Sequence, residues 1–262
     1  MTESSLVNKL AQMSSISYAT LPIAEQQYKN LGYSHVKYVD YEGAQCYIVW
    51  NTDEMVICFR GTEPRNWSDI KADLRAWLIK DERIAPCLSG RVHKGFYFEL
   101  KKIIDRIYIS IEQMRHNKKL YLTGHSLGGA IATIASGKIE NVDLLCTFGA
   151  PRVGTRKYIK NIKCKHLRFV NNNDVVPSVP PSLLFYKHHG DLVYINHYGN
   201  IRKMTPWQRI KDQFRGRWAA LKKKMPFDGI YDHGINYYIR YTKEKLLDVG
   251  NDNNNDRKDG NR

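Results

Sequence analysis

The spacing of apolar residues changes several times along this chain, and each change marks a different kind of element. Apolar positions three and four residues apart predict two opening helices, Leu6 to Tyr18 and Ile23 to Leu31. Runs rich in β-branched and aromatic residues predict the strands that follow. The predicted strands are Val36 to Tyr41, Gln45 to Trp50, Met55 to Arg60, Leu120 to Thr123, Val142 to Phe148, His166 to Asn171 and Asp191 to Ile195.

Helical spacing returns between the later strands. Phe96 to Arg115 carries one apolar face, a helix of small residues starts at Gly129, and Ile235 to Leu247 is the final predicted helix. Because helices and strands alternate, the pattern indicates an α/β fold with a mostly parallel central sheet and helices on both faces. Gly61 to Gly95 shows only a short predicted helix, Trp67 to Leu78, so we interpret it as a long loop of the kind that covers a site.

The length of the chain limits its organisation. With 262 residues it can form one large α/β domain with a full core, but hardly two. We therefore expect a single domain over residues 1–248. Residues 249–262 are rich in Asn and Asp, and we expect them to form a disordered polar tail.

A candidate nucleophile lies at the centre of the pattern. Gly124-His125-Ser126-Leu127-Gly128 separates the predicted strand at Leu120 from the small-residue helix. In this context a GxSxG motif lifts the serine onto a strained turn where a histidine can reach its Oγ. Glycine is needed on either side because a Cβ there would collide with the adjoining strand or helix. The alternative interpretation is a glycine-rich turn that only packs a helix on a sheet.

A nucleophilic serine needs an acid and a base, which follow it in the order Ser, acid, His in hydrolases of this type. Asp174 comes directly after a predicted apolar strand, at the carboxyl edge where parallel sheets bind ligands. Asp143 would begin a strand at the opposite edge, and Asp191 begins a short outer strand, so both are poorer candidates. His233 lies in a short polar loop before the last predicted helix, and it is the favoured base. The other downstream histidines that remain open are His166, His188, His189 and His197.

Charge adds a further feature. The formal net charge is +15, which favours anionic partners without choosing among phospholipid surfaces, nucleic acid and acidic substrates. Residues 200–225 hold nine Lys and Arg against Asp212 alone, a net charge of +8 and over half of the excess. Thr205 to Met225 also predicts a helix with one apolar stripe. The stripe consists of Trp207, Ile210, Phe214, Trp218, Leu221 and Met225.

Two interpretations of this helix are open. A basic amphipathic helix with Trp on its apolar face could bind an anionic membrane surface through Pro206 to Met225. Helices of globular proteins usually bury such a stripe, and for Ile210, Phe214 and Leu221 we favour packing on the core.

Cysteines and the amino-terminal segment bear on location. The five cysteines include no CxxC pair and lie mostly in apolar runs, which favours buried free thiols in a reducing compartment. Met1 to Ile23 has polar residues throughout and is not recognised as a signal peptide. The expected location is cytoplasmic, peripheral at membranes.

Six motifs, in a fixed order along the chain, indicate a protein family. They are VICFRGTEPRNWSDIKADL, VHKGF, GHSLGGA, FGAPRVG, NNNDVVPSVPP and YDHGINYYI. From about Tyr47 to Arg240 the chain resembles the lipase class 3 family, the fungal-type triacylglycerol lipases and their bacterial relatives. The resemblance implies an α/β-hydrolase fold and a lipid ester substrate, an acylglycerol or a phospholipid, with no cofactor and no metal. Unlike secreted fungal members, the chain shows neither their disulfides nor a signal peptide.

The resemblance also implies roles for individual residues. Ser126 matches the family's nucleophile, Asp174 its acid and His233 its base. Thr62 matches an oxyanion-hole donor, and the backbone N–H of Leu127 the second one. Residues 63–69 resemble the family's lid.

Two other classes of function remain. One is a catalytically inactive protein on a hydrolase scaffold that binds an anionic membrane, which the intact Ser, Asp and His disfavour. The other is a nucleic-acid binder, which only the charge suggests, since no motif for bases or phosphates is present. Nucleic acid is therefore not an expected partner.

Overall fold

The computed structural model describes residues 2–61, 78–80, 90–222 and 232–252. Its helices are α1 Glu3–Ile16, α2 Leu21–Asn30, α3 Lys94–Met114, α4 Leu127–Ser136, α5 Arg156–Ile159, α6 Pro206–Lys222 and α7 Ile235–Asp252. The strands of the larger sheet are β1 His35–Tyr41, β2 Ala44–Trp50, β3 Glu54–Phe59, β6 Lys119–His125, β7 Leu144–Phe148, β9 His166–Asn171 and β11 Asp191–Ile195. A smaller sheet is formed by β4 Leu78–Lys80, β5 Arg91–His93, β8 Gly154–Thr155 and β10 Tyr186–Lys187.

The larger sheet has seven strands in the order β1-β2-β3-β6-β7-β9-β11. The first three form an antiparallel meander, and β3, β6, β7, β9 and β11 pair in parallel. Apolar residues of α3 and α4 pack on one face of this sheet, and those of α1, α2 and α7 pack on the other. The predicted α/β class, with a mostly parallel sheet between two helical layers, is therefore confirmed.

The smaller sheet was not predicted. β4 and β5 fall in the segment interpreted as a loop, and β5 pairs with both β4 and β8. Strands of two or three residues are too short to establish a hydrophobic period, which explains the omission. Leu78, the last residue of the predicted helix from Trp67, instead begins β4. The rest of that helix, Thr62 and residues 63–69 lie outside the described residues.

The final helix is longer than its apolar pattern predicted. α7 continues to Asp252, so the first residues of the predicted polar tail are helical. Hydrophobic periodicity marks only the turns that pack on a core, and it therefore underestimates helix ends. Residues 253–262 lie outside the described part.

The prediction of buried free thiols agrees with the described cysteines. Cys46, Cys58 and Cys146 are buried and unpaired, and Cys164 is half-buried. Burial raises the pKa of Cys58 to about 12, so the thiol stays protonated at neutral pH.

The apolar stripe of helix α6 is exposed to solvent. Trp207, Phe214 and Trp218 are 64%, 65% and 64% exposed, and Ile210 is 43% exposed. Packing of Ile210 and Phe214 on the core was therefore a wrong prediction. The helix buries a polar face instead, where Asp212 is 2% exposed. Among the described residues, no helix is long and apolar enough to cross a membrane.

Candidate active site

The elbow at Ser126 has the strained geometry that its motif predicts. β6 ends at His125, α4 begins at Leu127, and Ser126 between them has a φ of 56°. A Cβ at Gly124 would lie 2.4 Å from the carbonyl carbon of Gly128, and one at Gly128 would lie 2.2 Å from the backbone oxygen of Phe59. Any side chain at either position would force the helix away from the sheet. The two glycines thus allow the strand and helix to meet at the serine.

Asp174 and His233 come together from separate parts of the chain. Asp174 lies beyond the carboxyl end of β9, and His233 lies in the turn before α7. The Nδ1 atom of His233 is 3.0 Å from Oδ1 and 2.9 Å from Oδ2 of Asp174. Their side chains are only 5% and 0% exposed, so bulk water does not compete for this contact.

This contact fixes which nitrogen of His233 can act as a base. A carboxylate only accepts hydrogen bonds, so Nδ1 carries the proton and donates it to Asp174. The Nε2 atom is then an acceptor, and it is buried with no hydrogen-bond partner among the described residues. A buried acceptor without a partner is costly in a purely structural histidine. In a general base it is the required arrangement.

The serine elbow lies beside this pair. Ser126 donates its backbone N–H to the oxygen of Phe148 at 3.0 Å. At the next residue, Gly149, a Cβ would lie 2.7 Å from Oδ2 of Asp174 and 2.9 Å from Nδ1 of His233. His125, which precedes the serine, has its ring centroid 4.5 Å from that of His233. The three predicted residues, Ser126, Asp174 and His233, therefore meet at one edge of the sheet.

Two supporting contacts of Asp174 were not predicted from the sequence. Tyr238 donates its hydroxyl to Oδ2 of Asp174, and the backbone N–H of Val176 donates to Oδ1 at 2.9 Å. Tyr238 lies in the YDHGINYYI motif, five positions after the histidine, but its apolar surroundings gave no sign of a polar role. Its phenol is buried, and desolvation followed by the charge of Asp174 raises its pKa well above the usual value. It remains a donor at all ordinary pH values.

His125 braces the backbone of the candidate base. Its Nε2 lies 2.7 Å from the carbonyl oxygen of His233, and its Nδ1 lies 3.0 Å from the hydroxyl of Tyr18. Since the carbonyl can only accept, Nε2 carries the proton and Nδ1 accepts from Tyr18. Burial, and then the neighbouring His233, lower the pKa of His125 well below its usual value. It is a neutral structural residue.

The other histidines contact different partners. His166 lies 2.8 Å from Oγ1 of Thr147 and 3.1 Å from His189. His188 donates Nε2 to the oxygen of Pro177 at 2.8 Å. His93 caps α3 and stacks on Phe96. None of these contacts involves Asp174.

The rejected aspartates also lie away from the site. Asp143 accepts from the backbone N–H of Leu120 at the amino end of β6, and Asp191 is the exposed first residue of β11.

Candidate oxyanion donors lie at the start of α4. The first N–H groups of a helix lack intrahelical acceptors, and the positive end of the helix dipole favours negative charge there. The N–H of Leu127 is the first of these. Thr62 is not described, but a Cβ at its neighbour Gly61 would lie 3.3 Å from the backbone nitrogen of Gly128. Gly61 therefore lies directly beside the elbow.

A cavity of about 480 Å³ lies next to the start of α4. Gly61, Leu127 and Ile131 line it, together with charged residues that include Glu99 and Lys102. A mixed polar and apolar lining of this size can accept part of a small organic molecule.

The fold and the elbow together define a class. A mostly parallel sheet with a serine on its strand-to-helix turn is an α/β-hydrolase fold, as the solved structures also show. The model of the lipase (class 3) family matches residues 56–184. The family resemblance found in the motifs is thereby confirmed over these residues, which make up just under half of the chain.

Individual relatives agree with this result. Toxin TseL of Vibrio cholerae is 31% identical over 179 residues, covering 53% of this chain and 28% of the toxin. A lipase of Rhizomucor miehei is 30% identical over 174 residues, covering 56% of this chain and 46% of that protein. The chain thus spans less than half the length of either relative.

Solved structures match more of the chain. A propeptide complex of Rhizomucor miehei lipase has a TM-score of 0.62 at 23% identity, covering 74% of this chain and 67% of that one. A mutant form of MDLA from Penicillium cyclopium has a TM-score of 0.61 at 22% identity, covering 79% and 86%. At these identities the likeness concerns the fold.

Proposed function

We propose that this protein is a serine hydrolase that cleaves carboxylic esters of lipids. The observation that carries the proposal is the state of His233, whose Nδ1 is held by both oxygens of Asp174 while Nε2 is buried beside the elbow with no partner among the described residues. The match of residues 56–184 to the lipase (class 3) family model supports it. Charge alone supports the competing binding functions, so they are less favoured.

The proposed reaction begins with proton transfer from Ser126 to Nε2 of His233 as Oγ attacks the ester carbonyl carbon. The π electrons of the carbonyl bond move to its oxygen, which becomes an oxyanion. The N–H of Leu127 and the backbone and hydroxyl of Thr62 would stabilise it. Asp174 does not take up the proton. It keeps the imidazole oriented and stabilises the imidazolium that forms.

The second half of the reaction returns the enzyme to its starting state. His233 gives its proton to the departing alcohol oxygen as the carbon–oxygen bond breaks, which leaves an acyl ester on Ser126. Water then loses a proton to His233 and attacks that ester. The fatty acid leaves, and the same proton restores the serine hydroxyl.

Relatives suggest the class of substrate. Three of them are named lipases, and another is named a secreted mono- and diacylglycerol lipase of Malassezia restricta. We infer that acylglycerols or phospholipids are the substrates here.

We further propose that α6 binds an anionic membrane surface and brings the site to its substrate. The exposed rings of Trp207, Phe214 and Trp218 provide apolar area, and exposed Lys211 and Arg215 alternate with them. The Nζ of Lys211 lies 5.4 Å from the centroid of the Trp207 ring, a cation–π contact. Amphipathic surfaces of this composition lie in the headgroup region of bilayers. This would make the protein peripheral at membranes.

The test is a panel of p-nitrophenyl esters, triglycerides and phospholipids, assayed with the native protein and Ser126→Ala. Loss of the nucleophile should reduce turnover by about a millionfold. Ser182→Ala removes an exposed serine hydroxyl and should leave turnover unchanged, which controls for the substitution itself.

Two outcomes contradict the proposal. Full turnover by Ser126→Ala would mean that the nucleophile is elsewhere. Binding of anionic vesicles or DNA by a native protein that hydrolyses none of these esters would instead favour an inactive scaffold.

A further inference from the structure

Arg168 is a buried cation without a counter-charge among the described residues. It lies in the middle of β9 and is only 9% exposed. Its Nε is buried with no hydrogen-bond partner there, and no described carboxylate forms an ion pair with it. An isolated buried charge is strongly destabilising unless a partner compensates it. An anion bound beside Arg168 would therefore stabilise the protein.

Its charged neighbours are cations as well. Burial, followed by repulsion from Arg152 and then Arg209, lowers the pKa of Arg168 to about 10. Burial, followed by the charges of Arg168 and then Arg152, lowers the pKa of His188 well below its usual value, so that side chain is neutral. We call Arg152, Arg168 and Arg209 the arginine cluster.

Each of the other two guanidinium groups keeps donors available. Arg152 uses Nη1 to donate to the backbone oxygens of Ser178 and Pro180, which holds it in place. Arg209 lies on α6, and its Nε is buried with no partner among the described residues. The cluster therefore holds three positive charges and at least two buried N–H groups that lack acceptors in the described part of the chain.

The carboxylate that lies closest in sequence to the cluster is already engaged. Asp212 follows Arg209 by one turn of α6, but its Oδ2 accepts from the hydroxyl of Tyr194 at 3.1 Å and from the backbone N–H of His197 at 2.9 Å. Among the described residues Asp212 forms no ion pair with an arginine of the cluster, so it is not an acceptor for the unpartnered N–H groups.

We propose that the arginine cluster binds a phosphate group. Guanidinium groups present planar pairs of donors that match the oxygens of phosphate, and a multiply charged anion with several acceptors suits three arginines better than a single carboxylate does. Two sources share this chemistry, the headgroup of a phospholipid and a free phosphate. The headgroup is a natural source because Arg209 belongs to the same helix as the exposed Trp207 and Phe214.

The test follows binding rather than ester turnover, so it does not rest on the proposed function. The full chain carrying Ser126→Ala is unfolded thermally in phosphate-free buffer, with sodium phosphate, and with sodium chloride of matched ionic strength. Calorimetric titration with phosphate gives the Kd. At 100 times that concentration, phosphate should raise the ratio of folded to unfolded protein about a hundredfold over chloride.

Variants identify the site. Arg168→Gln should weaken phosphate binding at least tenfold, and Arg209→Gln provides a second variant on a different element in case the first does not fold. Arg106→Gln removes an exposed charge of α3 and should keep the native Kd. A protein that phosphate does not stabilise beyond chloride, or equal stabilisation of Arg168→Gln and the native protein, would overturn the proposal.

A second arm distinguishes the two sources. Phosphatidylglycerol vesicles are bound to Ser126→Ala and then challenged with free phosphate and with glycerol phosphate. If a headgroup occupies the cluster, both compounds displace the vesicles and Arg168→Gln binds them more weakly. If free phosphate is the ligand, neither the two competitors nor Arg168→Gln changes vesicle binding, while phosphate still stabilises the native protein. Both results support a phosphate site and assign its source.

Discussion

Asp174 and Asp212 are two buried aspartates held by the same kinds of donor. Asp174 accepts from the hydroxyl of Tyr238 and the backbone N–H of Val176. Asp212 accepts from the hydroxyl of Tyr194 and the backbone N–H of His197. Both lie at most 3% exposed. What separates them is a third partner, because Asp174 also holds the imidazole of His233, and no described histidine side chain bonds Asp212.

That difference assigns the two residues to different tasks. With an imidazole attached, a buried carboxylate orients a base and stabilises the positive charge that forms on it. Without one, the same arrangement serves as an anchor. Asp212 fixes the polar face of α6 to the sheet, and the apolar stripe consequently points to solvent. A buried carboxylate is therefore a sign of function only together with what it holds.

The largest expected effect comes from breaking the contact that distinguishes the two aspartates. His233→Ala should reduce ester turnover by about a millionfold, close to the loss from removing the nucleophile, because the two groups act as a unit. His197→Ala leaves the backbone N–H that donates to Asp212 and is the matched control, with turnover expected to stay normal. Steady-state rates on a soluble ester decide it. An active His233→Ala would move the base to another histidine.

From the sequence, Asp174 was predicted at the candidate site, whereas Asp212 was assigned no role. Asp174 follows an apolar strand at the edge where ligands bind, and the motif around it is specific, so both position and resemblance singled it out. Asp212 was visible only as one acid in a basic helix. Periodicity tells which residues of a helix share a face, but not which face is buried. For α6 that depends on Tyr194 and on the amides of Asn172 and Asn173, which lie against Gly216 and come from distant strand ends.

The same limit applies to the rest of the fold and site. The strands of the larger sheet were predictable to within one or two residues because each is a long apolar run, whereas β4, β5, β8 and β10 are too short to produce a period. Ser126 was recognisable because the elbow imposes glycine on its neighbours. Tyr238 and Tyr18 were not, since a tyrosine in an apolar helix face is usually a core residue.

A smaller effect should follow from changing the exposed face of α6, the helix that Asp212 anchors. Removing two cations of α6 with Lys211→Gln and Arg215→Gln should weaken binding to phosphatidylglycerol vesicles by about 30-fold, at about 1 kcal/mol for each charge near an anionic surface. Turnover of a soluble ester should not change, because neither side chain is part of the elbow. Sedimentation of the Ser126→Ala protein with vesicles measures the binding.

The matched control for the vesicle experiment removes the same charge elsewhere. Lys119 and Lys163 are exposed near the amino ends of β6 and β9, the edge opposite the elbow. Their replacement by Gln should leave vesicle binding near the native level. Equal weakening by both pairs would show that net charge attracts the protein and that α6 has no special part.

The smallest effect should come from the tyrosines, and it compares the two aspartates directly. Tyr238→Phe removes one donor from Asp174 and should lower kcat about tenfold, the value of one hydrogen bond to a charged group, with KM little changed. Tyr194→Phe removes the equivalent donor from Asp212 and should leave kcat unchanged. Both variants should lose stability to a similar degree in urea, since each leaves a buried carboxylate with one donor fewer. A kcat that falls equally in the two variants would mean that Tyr238 acts only through general stability, and the separate task assigned to Asp174 would lose its support.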